Sequence, residues 1–256
     1  MEPISFVLIT HDSEKTLDNC LNSLKELASE IIIVDGYSRD RTLDIAAKYD
    51  AKIYKKNLEG FGSQKQFALE KAKNDWVFII DSDEAISSDL SWEINDRIAD
   101  VYSKSAYRVP RKNYYFGKWL KHGRKYPDYQ TRLIKRQFCK FSEDVIHEKI
   151  IVDGETGTLV NPLTHNSYPD MDTWFSKLKM FAEFRAERLL REGAKPSAFN
   201  FFKYCMFRPV WRLDKRFFLD LGFMDGLPGL LACIHDVLTE ILGYFIFTRK
   251  YGAAKK

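Results

Sequence analysis

The chain lacks the features that mark several common protein classes. Its four cysteines, Cys20, Cys139, Cys205 and Cys233, lie far apart with no Cys-x-x-Cys pair. That disfavours a zinc site or a disulfide framework and fits a reducing cytoplasm. No Gly-x-Gly-x-x-Gly follows the first apolar run, which disfavours a dinucleotide cofactor. Without Gly-x-x-x-x-Gly-Lys-Ser/Thr the chain is not a P-loop enzyme, and without Gly-x-Ser-x-Gly it lacks the usual hydrolase signature. The opening Met-Glu-Pro-Ile-Ser has no basic stretch leading into an apolar core, so no signal peptide is expected. Residues 226–248 are apolar but broken by His235, Asp236 and Glu240, leaving uncharged runs of nine residues at most. About 20 are needed to span a bilayer, so a peripheral segment is expected there.

What is present is organised around Trp76-Val77-Phe78-Ile79-Ile80-Asp81-Ser82-Asp83-Glu84. Five apolar residues in a row predict a parallel strand covered on both faces. Three carboxylates then arrive where that strand ends, which is where open α/β sheets bind ligands. Asp81 and Asp83 can both reach a hard divalent cation if the chain turns there. Magnesium and manganese take oxygen ligands and commonly sit between a carboxylate or two and substrate phosphates. A solvated acidic turn is the competing reading, and the preceding residues decide between them.

Those residues predict strands over 4–9, 31–34 and, more weakly, 51–54, alternating with helices. Thr10-His11-Asp12-Ser13 offers capping oxygens to a helix with Leu17, Cys20, Leu21, Leu24 and Ala28 on one face. Asp40 can cap a helix over 41–48, and a third helix covers 63–73. Strand–helix repeats of this length predict βαβ units and a parallel sheet in a chain of 256 residues, 45% hydrophobic and 30% charged. Thr10 with Glu14, then Asp35, then Asp81 and Asp83 stand at successive strand ends. They are acceptors suited to a base, a ribose and a metal-held diphosphate.

Four motifs occur in order: Ile9-Thr10-His11-Asp12-Ser13-Glu14, Ile33-Val34-Asp35-Gly36-Tyr37-Ser38-Arg39-Asp40, Gly62-Ser63-Gln64-Lys65-Gln66-Phe67 and Ile80-Asp81-Ser82-Asp83-Glu84. Together they resemble the inverting family-2 glycosyltransferases of GT-A fold, which use nucleotide-diphosphate sugars. The resemblance implies an α/β, Rossmann-like, mostly parallel sheet with helices on both faces. It implies that Asp35 holds the nucleoside, that Thr10 and Glu14 line the base pocket, and that Gln64 and Lys65 lie near the diphosphate. Asp81-Ser82-Asp83 would be the metal motif for Mn2+ or Mg2+. Where the family has Asn-Glu after its first strand, this chain has His11-Asp12-Ser13-Glu14.

The second half adds a helix over 92–102, a strand over 106–110 and the run Arg111-Lys112-Asn113-Tyr114-Tyr115-Phe116-Gly117-Lys118-Trp119. Aromatics interleaved with cations suit a sugar ring stacked beside an anionic group. A basic loop with its aromatics in the core is the competing reading. Nucleic acid, whose bases also stack on aromatics, is disfavoured by the mild net charge of +4 and by the transferase motifs. Asp128-Tyr129-Gln130-Thr131-Arg132-Leu133, Ile146-His147-Glu148 and His165-Asn166-Ser167-Tyr168 narrow the resemblance to the lipopolysaccharide-core β-1,4-glucosyltransferase subgroup. That implies transfer of glucose from UDP-glucose to an inner-core heptose on a lipid A precursor.

Inversion needs a carboxylate to take the acceptor proton and cations to stabilise the departing diphosphate. Glu148 ranks first as base, ahead of Asp144, Glu143 and Asp128; an ion pair with Lys149 is its competing role. His165 is the candidate third metal ligand, with His147 as the alternative. Arg132 and Lys65 are candidate diphosphate partners, since arginine suits bidentate phosphate contacts.

A long helix over 170–191 carries Met171, Trp174, Phe175, Leu178, Phe181 and Ala182 as a packing stripe. Residues 195–218 then hold six cations against Asp214 alone, with eight large aromatics. Such a segment fits an anionic membrane interface, or else a helical subdomain on the sheet. The expected organisation is a catalytic domain over 1–168 followed by a helical, membrane-proximal region over 169–256. Within the first, residues 1–105 form a nucleotide-sugar half and 106–168 an acceptor half. The expected enzyme is a metal-dependent transferase on the cytoplasmic face of an inner membrane, acting on a lipid-linked saccharide acceptor. Its rivals are a polyprenyl-phosphate glycosyltransferase and a non-catalytic membrane-bound sugar-binding scaffold.

Overall fold

The computed structural model describes residues 2–57, 61–142 and 149–253. The chain begins as strand–helix repeats: β1 (Ile4–Thr10), α1 (Leu17–Asn22), β2 (Glu30–Asp35), α2 (Thr42–Ala47), β3 (Lys52–Lys55), α3 (Phe61–Lys71) and β4 (Trp76–Ile79). After the short β5 (Glu84–Ala85) comes α4 (Ser88–Ala99), whose first turn is capped by Ser87 Oγ accepting from Leu90 N. A run of strands follows: β6 (Ala106–Tyr115), β7 (Lys118–Trp119), β8 (Asp128–Lys135), β9 (Cys139–Phe141), β10 (Ile150–Val152), β11 (Thr156–Thr158) and β12 (Leu163–Tyr168). The remainder is helical: α5 (Met171–Arg191), α6 (Ala198–Phe202), α7 (Arg208–Leu213) and α8 (Gly226–Ala253). These elements form two compact units, Met1–Arg111 with Asp128–His165, and Lys112–Pro127 with Asn166–Lys256.

In the first unit the sheet runs β3-β2-β1-β4-β8-β6-β12-β5. Its amino-terminal strands are all parallel, β1 lying between β2 and β4 with β3 outside β2. The later strands β8 and β6 continue it antiparallel. Period-two alternation splits the apolar residues between two faces. Phe6, Leu8, Ile31, Ile33, Trp76 and Phe78 pack under α1, α2 and α4. Val7, Ile32, Val34, Val77 and Ile79 pack with Ala68 and Leu69 of α3 and with Ala72 just past its end. Helices on both faces bury the central strands completely, which is why β4 reads as an uninterrupted apolar run.

The second unit is built on α5 and α8. Asp170 caps α5 by accepting from Thr173 N at 2.8 Å. The buried face of α5 is Trp174, Leu178, Ala182, Ala186 and Leu189. That stripe differs from the expected one, since Met171, Phe175 and Phe181 stand exposed. A strict i, i+4 progression drifts slowly around the helix, and the buried seam follows Trp174 through Ala186 rather than the bulkiest side chains. The segment Gly222–Ala253, which contains α8, is long and apolar enough to cross a membrane by length and composition alone. The expectation of short, charge-broken runs missed how its acids are matched. Glu240 accepts from Arg185 Nε at 3.0 Å and pairs with Arg212 at 3.0 Å, while Asp236 pairs with Arg216 at 2.9 Å. Such burial of Glu240 is tolerable only because it is paired.

Candidate functional site

The parallel register of β1 and β2 brings Thr10 opposite Asp35 at their carboxyl ends. Thr10 Oγ1 donates to Asp35 Oδ1 at 3.0 Å, and Ser38 donates to Asp35 through its backbone N (2.9 Å) and its hydroxyl (2.5 Å). Asp35 is fully buried. The loops that follow are zipped together by side chains. Asp12 Oδ1 accepts from Arg39 N, Thr42 Oγ1 from Ser13 N, Asp40 Oδ2 from Glu14 N, and Glu14 Oε2 from Arg41 N. The short polar residues expected to cap α1 therefore serve a different purpose. The helix has no side-chain cap, and these groups tie one strand-end loop to the next. The N-cap position of α2 is Arg41, which makes no side-chain cap bond, and Asp40 just before it accepts from Thr42 N, the first helical amide, at 3.0 Å.

At the end of β4 the chain turns through Asp81-Ser82-Asp83-Glu84. Asp81 pairs with Arg132 at 2.5 Å and with Lys65 Nζ at 3.4 Å. Burial opposes ionisation of Asp81, but Arg132 and then Lys65 override it and hold its carboxyl well below the usual range. Glu84 has no exposed side-chain surface. It closes the turn by accepting Asp81 N at 2.9 Å through Oε2, and its Oε1 accepts from Arg132 at 2.5 Å and Arg111 at 3.1 Å. Arg111 in turn holds Asp128 Oδ2 through Nε and Nη2, and Gln130 donates to Asp128 Oδ1. Asp83 Oδ2 lies 3.3 Å from His165 Nε2, a juxtaposition set by the pairing of β5 with β12.

The structure thus gathers Lys65, Asp81, Arg132, Asp83, His165 and Asp128 around one turn, with Ser82 Oγ 3.1 Å from Ser13 Oγ. It groups Thr10 with Asp35, and Glu14 on the loop beside them. Gln64 is buried and donates to Lys56 O at 2.9 Å. Glu143, Asp144, His147 and Glu148 lie outside the described residues. Two members of the cluster escaped the sequence reading as site residues. Glu84 was visible as the third carboxylate of the motif. Arg111 was visible only as the first cation of the aromatic–basic run 111–119, and its pairing with this turn was not, because its partners stand 17 and 27 positions away.

Among the described residues no three His, Cys, Asp or Glu side chains converge as a ready-made cage for a divalent cation. Asp83 and His165 present an oxygen and a nitrogen side by side, while Asp81 is engaged by cationic side chains. The Asp83 carboxylate fits the mode in which one or two carboxylates hold a hard cation together with substrate phosphates and water, and the set does not fit an all-protein site.

Several known proteins are similar to this chain. Residues 5–151 match the family described as Glycosyl transferase family 2. A protein of Rhizobium meliloti, "Lipopolysaccharide core biosynthesis glycosyltransferase LpsC", is 29% identical over 97% of this chain and 92% of its own. An "Uncharacterized glycosyltransferase" of Rickettsia bellii is 27% identical over 89% of this chain and 80% of its own. Among solved structures, S. aureus TarS 1–349 aligns over 98% of this chain and 92% of its own at 16% identity, with a TM-score of 0.46. With more than half of its length matched by that family, the chain belongs to glycosyl transferase family 2.

Proposed function

We propose that this transferase moves a hexose, glucose in the first instance, from a UDP-sugar to a lipid-linked saccharide of the lipopolysaccharide inner-core type, inverting the anomeric centre. The observation that carries the reading is the turn 81–84 with Lys65, Arg111 and Arg132 converging on it. A departing nucleoside diphosphate needs fixed positive charge at the moment the glycosidic bond breaks, and preorganised cations supply it without reorganisation. Lys65 and Arg132 are the partners assigned to the diphosphate, exchanging their contact with Asp81 for phosphate oxygens. A divalent cation held by Asp83 and His165, with Asp81, would add Lewis-acid charge to the same leaving group.

Thr10, Asp35 and Glu14 form the nucleoside end. Glu148 is assigned the acceptor proton, with Asp144 second. Asp128, held by two N–H groups of Arg111 and by Gln130, is better suited to positioning Arg111 than to accepting a proton. In the second unit Lys112 and Lys121 each lie 4.7 Å from the centre of the Trp119 ring, which offers a stacking face beside positive charge for an anionic saccharide. Similarity to LpsC, described as acting in lipopolysaccharide core biosynthesis, supports a core-type acceptor, and with such an acceptor the enzyme would work peripherally on the cytoplasmic face of the inner membrane. The test is transfer of labelled glucose from UDP-glucose to a lipid A–inner-core acceptor by wild type and Asp83→Ala. Label should enter the acceptor with wild type only. Equal incorporation with the variant, or none with any UDP-hexose, would reject the reading.

A further inference from the structure

Residues 198–219 run as a nearly continuous helical stretch: α6, a π-helical turn over Lys203–Phe207, α7, and a second such turn over Asp214–Leu219. Its sidedness is the reverse of what a helix on a water-soluble surface shows. Phe199, Phe202, Phe207, Val210, Trp211 and Phe218 are 56–76% exposed. Steps of three and four residues put most of them on one stripe, and the wide π turn absorbs the five-residue step from Phe202 to Phe207. Two guanidinium groups point the other way. Arg212 reaches Glu240 and Arg216 reaches Asp236, both on α8. Tyr204, on the inward side, is buried against Tyr244. The apolar surface continues through Leu219, Phe223, Met224 and Leu227, all exposed.

Arg212 and Arg216 are therefore turned inward and matched by acids, while the exposed aromatics are turned outward. A continuous apolar surface of this kind marks an interaction site. Its chemistry selects the occupant. Lys195, Lys203, Arg208 and Lys215 accompany the stripe along the sequence, with Asp214 as the only acid over 195–218. Two copies of the stripe packed together would bring these like charges against each other. A bilayer with anionic headgroups accepts both, taking aromatic rings at the headgroup–acyl boundary and attracting the lysines and arginines beside them. We infer that 198–227 is a monotopic interfacial element that seats in an anionic lipid surface by its Phe199–Phe218 stripe. The purpose of that seating rests on the proposed lipid-linked acceptor, while its physics rests on the helix alone.

The test uses the full chain and vesicles of phosphatidylcholine, alone or with phosphatidylglycerol. Wild type should float with the phosphatidylglycerol vesicles. The double variant Phe207→Ser/Trp211→Ser should bind them about tenfold more weakly or worse, equivalent to partial loss of one buried aromatic. Brominated acyl chains should quench emission in wild type and lose that quenching in Trp211→Phe. UDP binding and the thermal midpoint should be unchanged in all variants, because the stripe faces away from the packed core. Equal flotation of wild type and the double variant would overturn the inference. So would a wild-type dimer dissolved by the double variant without any flotation. Loss of UDP binding in wild type would count against the proposed function instead, so the two failures are separable.

Discussion

Replacing Glu84 by glutamine removes one negative charge and almost no volume from the turn that follows β4. In the native turn Oε2 accepts Asp81 N, and Oε1 accepts from both Arg111 and Arg132. A glutamine has one acceptor oxygen and one NH2. Either the NH2 faces the Asp81 N–H, or it faces two guanidinium groups; both arrangements set donor against donor. Neither arginine is left alone, because Arg132 keeps Asp81 and Arg111 keeps Asp128. The loss should therefore fall at the low end of the range for breaking a buried pair, about 3 kcal/mol. In a chain of this size that is a fall in thermal midpoint of about 6–12 °C. Arg132, released from Glu84, should also hold Asp81 more strongly and weaken metal-assisted nucleotide binding. Thermal and urea unfolding measure the first effect, and calorimetric titration with UDP and manganese measures the second. Stability within about 0.5 kcal/mol of wild type, with unchanged UDP binding, would refute the role given to Glu84.

Three further outcomes are expected. Glu240→Gln should destabilise the chain by about 3 kcal/mol in urea unfolding, because Arg185 and Arg212 lose the carboxylate they share. Gly229→Ala should cost about 1–3 kcal/mol, since a Cβ there would meet Gly222 O at 2.3 Å and Asp225 Cβ at 2.9 Å; a neutral effect would show that the start of α8 can shift. Burial, opposed by Asp236 and reinforced by Lys125 and Lys177, pushes the His235 imidazole down to about 4. The unfolded imidazole, near its ordinary value of about 6.5, takes up a proton the folded one refuses. Its contribution is thus complete above pH ~6.5 and lost as pH falls toward ~4. The stability difference between wild type and His235→Phe should shift against wild type over that window, and a pH-independent difference would contradict it.

The parallel core was legible because its signals are local. Ile31 to Val34 and Trp76 to Ile80 are continuous apolar runs, and the helices between them carry apolar residues at helical spacing. Asp81 and Asp83 were legible for the same reason, since two carboxylates at the end of a buried strand stand out within a few residues. What the sequence concealed lies in pairings across long separations. Arg132 meets Asp81 over 51 positions, and Glu240 meets Arg185 over 55. Reading Asp236 and Glu240 as interruptions assumed that charges in an apolar segment face water. Here they face arginines, so the helix continues through them to Ala253. The bulkiest side chains also misled: Phe175 and Phe181 looked like packing residues, whereas the seam of α5 runs through Ala182 and Ala186.

The most direct measurement of the central claim is calorimetric binding of UDP-glucose to wild type and Asp83→Ala, each with manganese and with EDTA. The account predicts binding by wild type that manganese strengthens and EDTA weakens, with the metal-dependent part lost in Asp83→Ala. Absence of UDP-glucose binding under every condition would contradict it, as would binding by Asp83→Ala indistinguishable from wild type.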